Sequence, residues 1–284
     1  MRKVSAIAMT FVSMSIAAAC DVVDDASETG TTVEETLVEG APLDVYLIAG
    51  QSNAVGGAQV TSLSTLNAGF ATSFDAVRFA QEINCPKDGS VGACQLSRSW
   101  RSLAPRGSSM GIELSAGRRL YERFGGTVAL LKHATNGSNL VAQWDSTGNA
   151  RSLWTYMNDF VDARMAELPP GSRIAGLFWI QGNGDAQLAT AAEDYAENLA
   201  WFIMRLRQDR GCVPVVIDRL HPAVQYPFAD VVRAEQEQVA SFVDDVAIVD
   251  TADLRLRDDP PQHYTADSFV TLGRRMADAM PRCQ

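Results

Sequence analysis

"LIAGQSNAVGG", residues 47–57, starts as a buried strand and stops abruptly, its apolar residues running straight into Gly50, Gln51, Ser52 and Asn53. The strand therefore ends by presenting a serine between two amides. Further along, short apolar runs at 44–50, 127–134, 174–182, 213–220 and 246–251 read as strands. They alternate with helical patterns near 111–124, 152–167, 186–210, 228–243 and 265–280. Strands apolar on both faces and separated by helices predict an α/β fold, with a central parallel sheet of about five strands covered by helices on both sides. Ligands of such sheets lie outside the carboxyl ends of the strands.

The residues just past each strand are thus the ones that carry chemistry. They are Gly50-Gln51-Ser52-Asn53, Asn136-Gly137-Ser138-Asn139, Gln181-Gly182-Asn183-Gly184-Asp185, Arg219-Leu220-His221 and the loop from Thr251 to His263. Serine becomes a nucleophile only when a base takes its proton, and the base needs a third group to hold its tautomer. Of three histidines, His263 lies after the last strand and just before the last helix, where its ring can reach over the sheet edge towards Ser52. His221 also follows a strand and is the rival base, while His133 sits inside a strand as a packing residue. The competing structural use of Ser52 is a helix N-cap. A tetrahedral intermediate also needs donors for its oxyanion. The backbone N–H groups of Ser52 and Gly137 and a side-chain amide from Gln181 or Asn183 are the residues placed to supply them.

Four segments taken together, "YLIAGQSNAVG" (46–56), "LLKHATNGSNLVAQW" (130–144), "FWIQGNGDA" (178–186) and "HYTADSFVTLGRRMADAM" (263–280), resemble the SGNH hydrolase superfamily. Within it the chain looks like the sialate O-acetylesterase-like domain of carbohydrate esterase family six. The resemblance covers roughly residues 43–280. It implies a three-layer α/β/α, flavodoxin-like fold and removal of acetyl groups from sugar hydroxyls, with Ser52 as nucleophile, His263 as base, and Gly137 and Gln181 as oxyanion donors. Two positions depart from the family pattern. Asn183 stands where a glutamate is usual, and Pro260 stands where an aspartate usually precedes the histidine by three residues. Asp259, one residue further back, is the first choice for the acid that orients His263, with Asp258 and Asp253 as alternatives. Trp144, shortly after the Gly137 loop, is expected to form a sugar-stacking wall, whereas Trp179 inside a strand reads as core.

The expected activity is a serine esterase acting on acetylated carbohydrate, with no metal and no organic cofactor. A lipase-like or thioesterase member of the superfamily would need a long apolar acyl groove, and a non-catalytic carbohydrate-binding lipoprotein would keep the fold without the chemistry. Arg2 and Lys3 followed by the small, apolar stretch 4–19 read as a secretory signal, and "IAAAC" resembles a lipobox ending at Cys20. Residues 20–42 hold seven acids and no base and read as a tether, so residues 43–284 form the esterase domain. Loss of the leader removes Arg2 and Lys3 and no acid, moving the formal charge from −10 to −12, which argues against a nucleic-acid partner. The only expected link to a membrane is a lipid on Cys20. The four other cysteines are even in number, as disulfides of an exported chain would be. The expected pairs are Cys85 with Cys94 across a short loop and Cys212 with Cys283 near the C-terminus.

Overall fold

Every residue of strand β1 (Asp44–Gly50) except Asp44 is buried, so the strand must have a layer on each face and a neighbour on each edge. The computed structural model describes residues 40–88, 90, 92–147, 151–258 and 261–282. The expected leader 1–19, Cys20, the tether as far as residue 39, Asp259, Pro260 and Cys283 lie outside the described residues. After β1 come α1 (Ser52–Val55), β2 (Ala58–Gln59), β3 (Phe74–Ile83), β4 (Leu96–Leu103), β5 (Ser109–Met110), α2 (Glu113–Phe124) and β6 (Val128–Ala134). The chain continues through α3 (Leu140–Gln143), α4 (Leu153–Met165), β7 (Arg173–Ile180), α5 (Ala189–Glu193) and α6 (Tyr195–Arg210). It closes with β8 (Val215–Asp218), α7 (Ala229–Phe242), β9 (Val246–Val249) and α8 (Ala266–Ala279).

The main sheet has seven strands in the order β4-β3-β6-β1-β7-β8-β9, all parallel except that β4 runs antiparallel to β3. The alternation of side chains along β1 divides the core. Tyr46 and Ile48 point to one layer, where Leu114 and Leu120 of α2 meet Phe269 and Met276 of α8. Val45, Leu47 and Ala49 point to the other, where Phe160 of α4, Phe202 of α6 and Val232 of α7 gather. A fully buried residue such as Ile48 contributes roughly 1.5–3 kcal/mol relative to exposure.

The α/β/α fold class agrees with the expectation, but the sheet has seven strands instead of about five. The two additional strands are β3 and β4, whose sequences "FDAVRFAQEI" and "LSRSWRSL" carry charged residues because this end of the sheet is covered less completely. The single helix expected over 186–210 is divided: a 3₁₀ turn at Asp185–Gln187 and the short α5 precede α6.

Beneath α1 lies a buried ion pair. Lys132 of β6 is 1 % exposed, and its Nζ stands 2.5 Å from Glu113 Oε2 at the start of α2. The same Nζ donates to the carbonyl of Val55, the last residue of α1, at 3.3 Å, while Glu113 Oε1 accepts from Gly111 N at 3.0 Å. The pair fixes the serine-bearing turn to two elements of the core. Lys132→Met should leave the Glu113 carboxylate uncompensated and lower stability by about 3–5 kcal/mol, and Lys132→Met with Glu113→Gln should recover part of that loss. Urea unfolding monitored by tryptophan fluorescence measures both.

Candidate active site

The strand order reverses around β1, which lies between β6 and β7, and a crevice opens there at the carboxyl edge. Gly50 is the residue that lets the chain turn out of the sheet. Its φ is +138°, and a Cβ at this position would lie 2.0 Å from the carbonyl oxygen of Ile180. Gln51 N then donates to that same carbonyl at 3.0 Å.

The two amides that flank Ser52 are buried tethers. Gln51 Oε1 accepts from Gly184 N at 3.2 Å, joining the turn to the segment that follows β7. Asn53 Nδ2 donates to the Gln262 carbonyl at 2.9 Å and its Oδ1 accepts from Tyr264 N at 3.3 Å, gripping the chain on both sides of His263. Ser52 itself is only partly covered and lines a cleft of about 370 Å³ together with Gly137, Asn183 and His263. Residues more than two hundred positions apart are thereby held at one opening.

The three histidines have different settings. His263 lines the cleft, and burial, followed by the nearby Arg257 guanidinium, lowers its pKa below the ordinary value. Its Nδ1 is buried and has no hydrogen-bond partner among the described residues. His221 is engaged at both nitrogens: Nδ1 accepts from Ala223 N at 3.1 Å and Nε2 meets the Leu254 carbonyl at 2.9 Å. His133 is buried edge-on against Trp144 and is a packing residue. Among the carboxylates weighed for orienting His263, Asp253 is held by Arg275 through two contacts of 2.6 Å and is not free for the imidazole. Asp259 lies outside the described residues.

Gly137 sits in a turn with φ +61°, a backbone state that glycine adopts without strain. Lys87 braces the turn from outside, its Nζ donating to the carbonyls of Asn136 at 2.6 Å and Gly137 at 2.9 Å. Asn84 Oδ1 adds a bond from Asn136 N at 3.0 Å. Lys87 belongs to the loop closed by the Cys85–Cys94 disulfide, and Cys85 N donates to Thr135 Oγ1 at 3.2 Å. Asn183 is buried at the cleft wall, and its Nδ2 has no partner among the described residues. That donor is left unsatisfied on the protein side, in a residue that lines the opening.

Two expected roles do not survive the geometry. Gln181 is turned into the core: Nε2 donates to the Ser138 carbonyl at 3.1 Å and to the Asp185 carboxylate, and Oε1 accepts from Tyr195 at 2.9 Å. With both ends of its amide engaged below the cleft, it is a floor residue and not an oxyanion donor. Trp144 is 1 % exposed, with Nε1 bonded to Ser138 Oγ at 3.0 Å and its ring edge-on to Trp179, so it packs the core and offers no face to a sugar. The expected core placement of Trp179 holds, since it is fully buried.

The polar floor is dense. Asp185, with no exposure, accepts from Leu140 N at 3.0 Å on both oxygens, and burial pushes its pKa up to about 6. Asp218, at the end of β8 beside the Tyr264 phenol, is raised to about 8 by the same cause. Among the described residues, Glu82, Cys85 and His133 group closely enough to hold a metal ion, but the Cys85 sulfur is bonded to Cys94 and is not a thiolate ligand. Cys212 is also disulfide-bonded, and its expected partner Cys283 lies outside the described residues. Sequence reasoning missed the tethering by Asn53, the brace by Lys87 and the presence of Arg257 in the cleft. Only Asn53 carried a signal, as one of the two amides around the serine.

The doubly wound α/β/α sheet brings serine, glycine, asparagine and histidine to one cleft over its central strand. Residues 42–282 match the family described as carbohydrate esterase, sialic acid-specific acetylesterase, and the chain belongs to that family. It is accordingly a carboxylic ester hydrolase of the carbohydrate esterase type. Among solved structures, a protein from Arabidopsis thaliana is similar at TM-score 0.66 and 18 % identity, over 84 % of this chain and 98 % of that one. A carbohydrate acetylesterase from Xanthomonas citri is similar at TM-score 0.62 and 18 % identity, over 83 % and 55 %. NanS is similar at TM-score 0.62 and 13 % identity, over 86 % and 98 %. At these identities the likeness is one of fold. No curated protein matches the sequence.

Proposed function

We propose that the protein removes O-acetyl groups from carbohydrate by acyl-enzyme chemistry, with Ser52 as nucleophile and His263 as general base. The observation that carries this reading is the grip of Asn53, adjacent to Ser52, on the backbone either side of His263, which holds nucleophile and base at one cleft. His263 takes the Ser52 proton as Oγ attacks the acetyl carbonyl. The N–H groups of Ser52 and Gly137 and the free Nδ2 of Asn183 receive the oxyanion. Collapse expels the sugar alkoxide, protonated by His263, and water activated by the same imidazole then releases acetate. Asp259 is the proposed acid at His263 Nδ1, a position that Asp253 does not serve.

The lining favours a sugar over a long acyl chain. Asn136, Asn183, Gln187 and Gln262 bring amides to the cleft, which suits hydroxyl groups. Tyr226 is the aromatic wall that Trp144 does not provide. The source of the acetylated sugar is proposed at the level of the family, a sialic acid or a polysaccharide.

Ser52→Ala should reduce acetate release by several orders of magnitude while leaving the unfolding midpoint almost unchanged, because a partly exposed side chain at the mouth contributes little packing. Acetate assay and thermal unfolding of the purified variant check both, and near-wild-type turnover would sink the mechanism.

Only the neutral imidazole accepts the serine proton, and His263 is lowered from its ordinary value of 6.5. Thus kcat/KM should be at its plateau at neutral pH and fall as pH drops through a single group below 6.5. A kcat/KM that does not fall on the acid side would contradict the assignment.

Lys87→Met should free the Gly137 turn and misplace one oxyanion donor. We expect kcat to fall about tenfold with KM little changed, since a displaced donor costs less than a deleted one, and Lys87→Arg to restore part of it. An unchanged kcat would show that the turn holds its shape without the brace.

A further inference from the structure

Glu82 and His133 are register partners on the neighbouring strands β3 and β6, and Cys85 lies just past the end of β3. None of the three lines the cleft. One ligand-capable atom from each lies within 4.8 Å of the others. His133 Nδ1 stands 3.5 Å from Glu82 Oε2, and the same oxygen stands 3.7 Å from Cys85 Sγ. These are the separations of donors around a tetrahedral metal ion, because bonds of about 2.0 Å to nitrogen or oxygen and about 2.3 Å to sulfur put neighbouring donor atoms roughly 3.3–3.8 Å apart. A second observation comes from the imidazole. His133 is 2 % exposed, and neither of its ring nitrogens has a hydrogen-bond partner among the described residues. The rings of Trp144 and Phe160 fix its plane. A buried polar group left unmatched on both sides is costly, and metal coordination is one way to complete it.

We infer that this cluster is a zinc site of the dithiol form of the protein, with Cys85, Cys94, His133 and Glu82 as its four ligands. In the disulfide form Cys85 has no thiolate to offer. A dithiol reductant supplies two electrons and two protons: the Cys85–Cys94 S–S bond breaks, two thiols form, and the reductant leaves as its own disulfide. A zinc ion then displaces the two thiol protons to solvent and takes both sulfurs with the neutral imidazole and the carboxylate. That donor set suits zinc, whereas magnesium and calcium take oxygen ligands. Cys94 is kept within reach by the bond it has just given up. The ion closes the 85–94 loop where the disulfide did, so Lys87 stays at the Gly137 turn in both forms. The inference does not depend on the esterase reading.

The test reduces the full chain without oxygen, using a water-soluble phosphine that is itself oxidised to the phosphine oxide, and titrates it with Co2+ as a spectroscopic stand-in for zinc. The reduced protein should show the visible bands of tetrahedral Co2+ together with sulfur-to-metal charge transfer, and added Zn2+ should displace both. The disulfide form should show neither. Cys85→Ser combined with Cys94→Ser should abolish the charge transfer, while Cys212→Ser should leave it unchanged. Glu82→Gln, at a partly exposed position outside the apolar core, should weaken zinc binding by at least about tenfold. Reduced wild-type protein that keeps its circular-dichroism spectrum yet gives no tetrahedral Co2+ signal overturns the inference. So does a signal that survives in the Cys85→Ser, Cys94→Ser protein or disappears in Cys212→Ser. Unchanged zinc affinity in Glu82→Gln overturns the four-ligand assignment. Loss of the native circular-dichroism spectrum on reduction overturns the inference as well, because the site exists only in the folded chain.

Discussion

The carbonyl of Ile180 accepts from Gln51 N at the point where β1 leaves the sheet, and the close pass of Gly50 over that carbonyl leaves no room for a side chain. This contact ties the end of β1 to the end of β7 just as the chain turns out to expose Ser52. Once the turn is set, Gln51 and Asn53 fall on opposite sides of the serine and reach the loops after β7 and before α8. The cleft is thus an outcome of backbone geometry at one strand end, with side-chain amides transmitting that geometry to the rest of the site.

Below the cleft the protein buries several polar side chains. Gln181, Asp185, Ser138, Tyr195, Trp179 and Trp144 form one connected hydrogen-bonded floor. Such a network is costly if any member is unmatched and rigid when all are matched. Its members point away from substrate, and Gly184 packs so closely on it that a Cβ would meet the Ser138 carbonyl at 2.5 Å. The Lys132–Glu113 pair does similar work on the other side of α1. Rigidity around a polar cleft is what electrostatic stabilisation of an oxyanion requires, because donors already in place need not reorganise as charge develops.

The departure of this chain from its family at Asn183 has a physical reading in the same terms. A glutamate would place a second anion near the developing oxyanion. The asparagine places an uncharged amide there, with a donor unspent on the protein. Arg257 is the cleft's only full charge among the described residues, and it is positive.

The sequence by itself determined the alternation of buried strands and helices, and with it the parallel sheet whose carboxyl edge carries the site. Period and apolarity are local properties, so β1, β6, β7, β8 and β9 were legible. The strands β3 and β4 were not, because their partial exposure leaves no clean pattern. Ser52, Gly137, Asn183 and His263 were legible as residues following strand ends, and the short Cys85–Cys94 loop as a disulfide. Which way each side chain turns was decided only by tertiary structure. Gln181 and Asn183 are two residues apart and both carboxamides, yet one is spent on Ser138, Asp185 and Tyr195 while the other faces the cleft. Trp144 follows the Gly137 loop in sequence but finds Trp179 and His133 in the core, because burying an indole and satisfying its N–H on Ser138 outweighs leaving it at the mouth. Lys87 and Arg257 acquire their positions from a disulfide loop and a strand bridge, contacts between distant segments that no local pattern encodes.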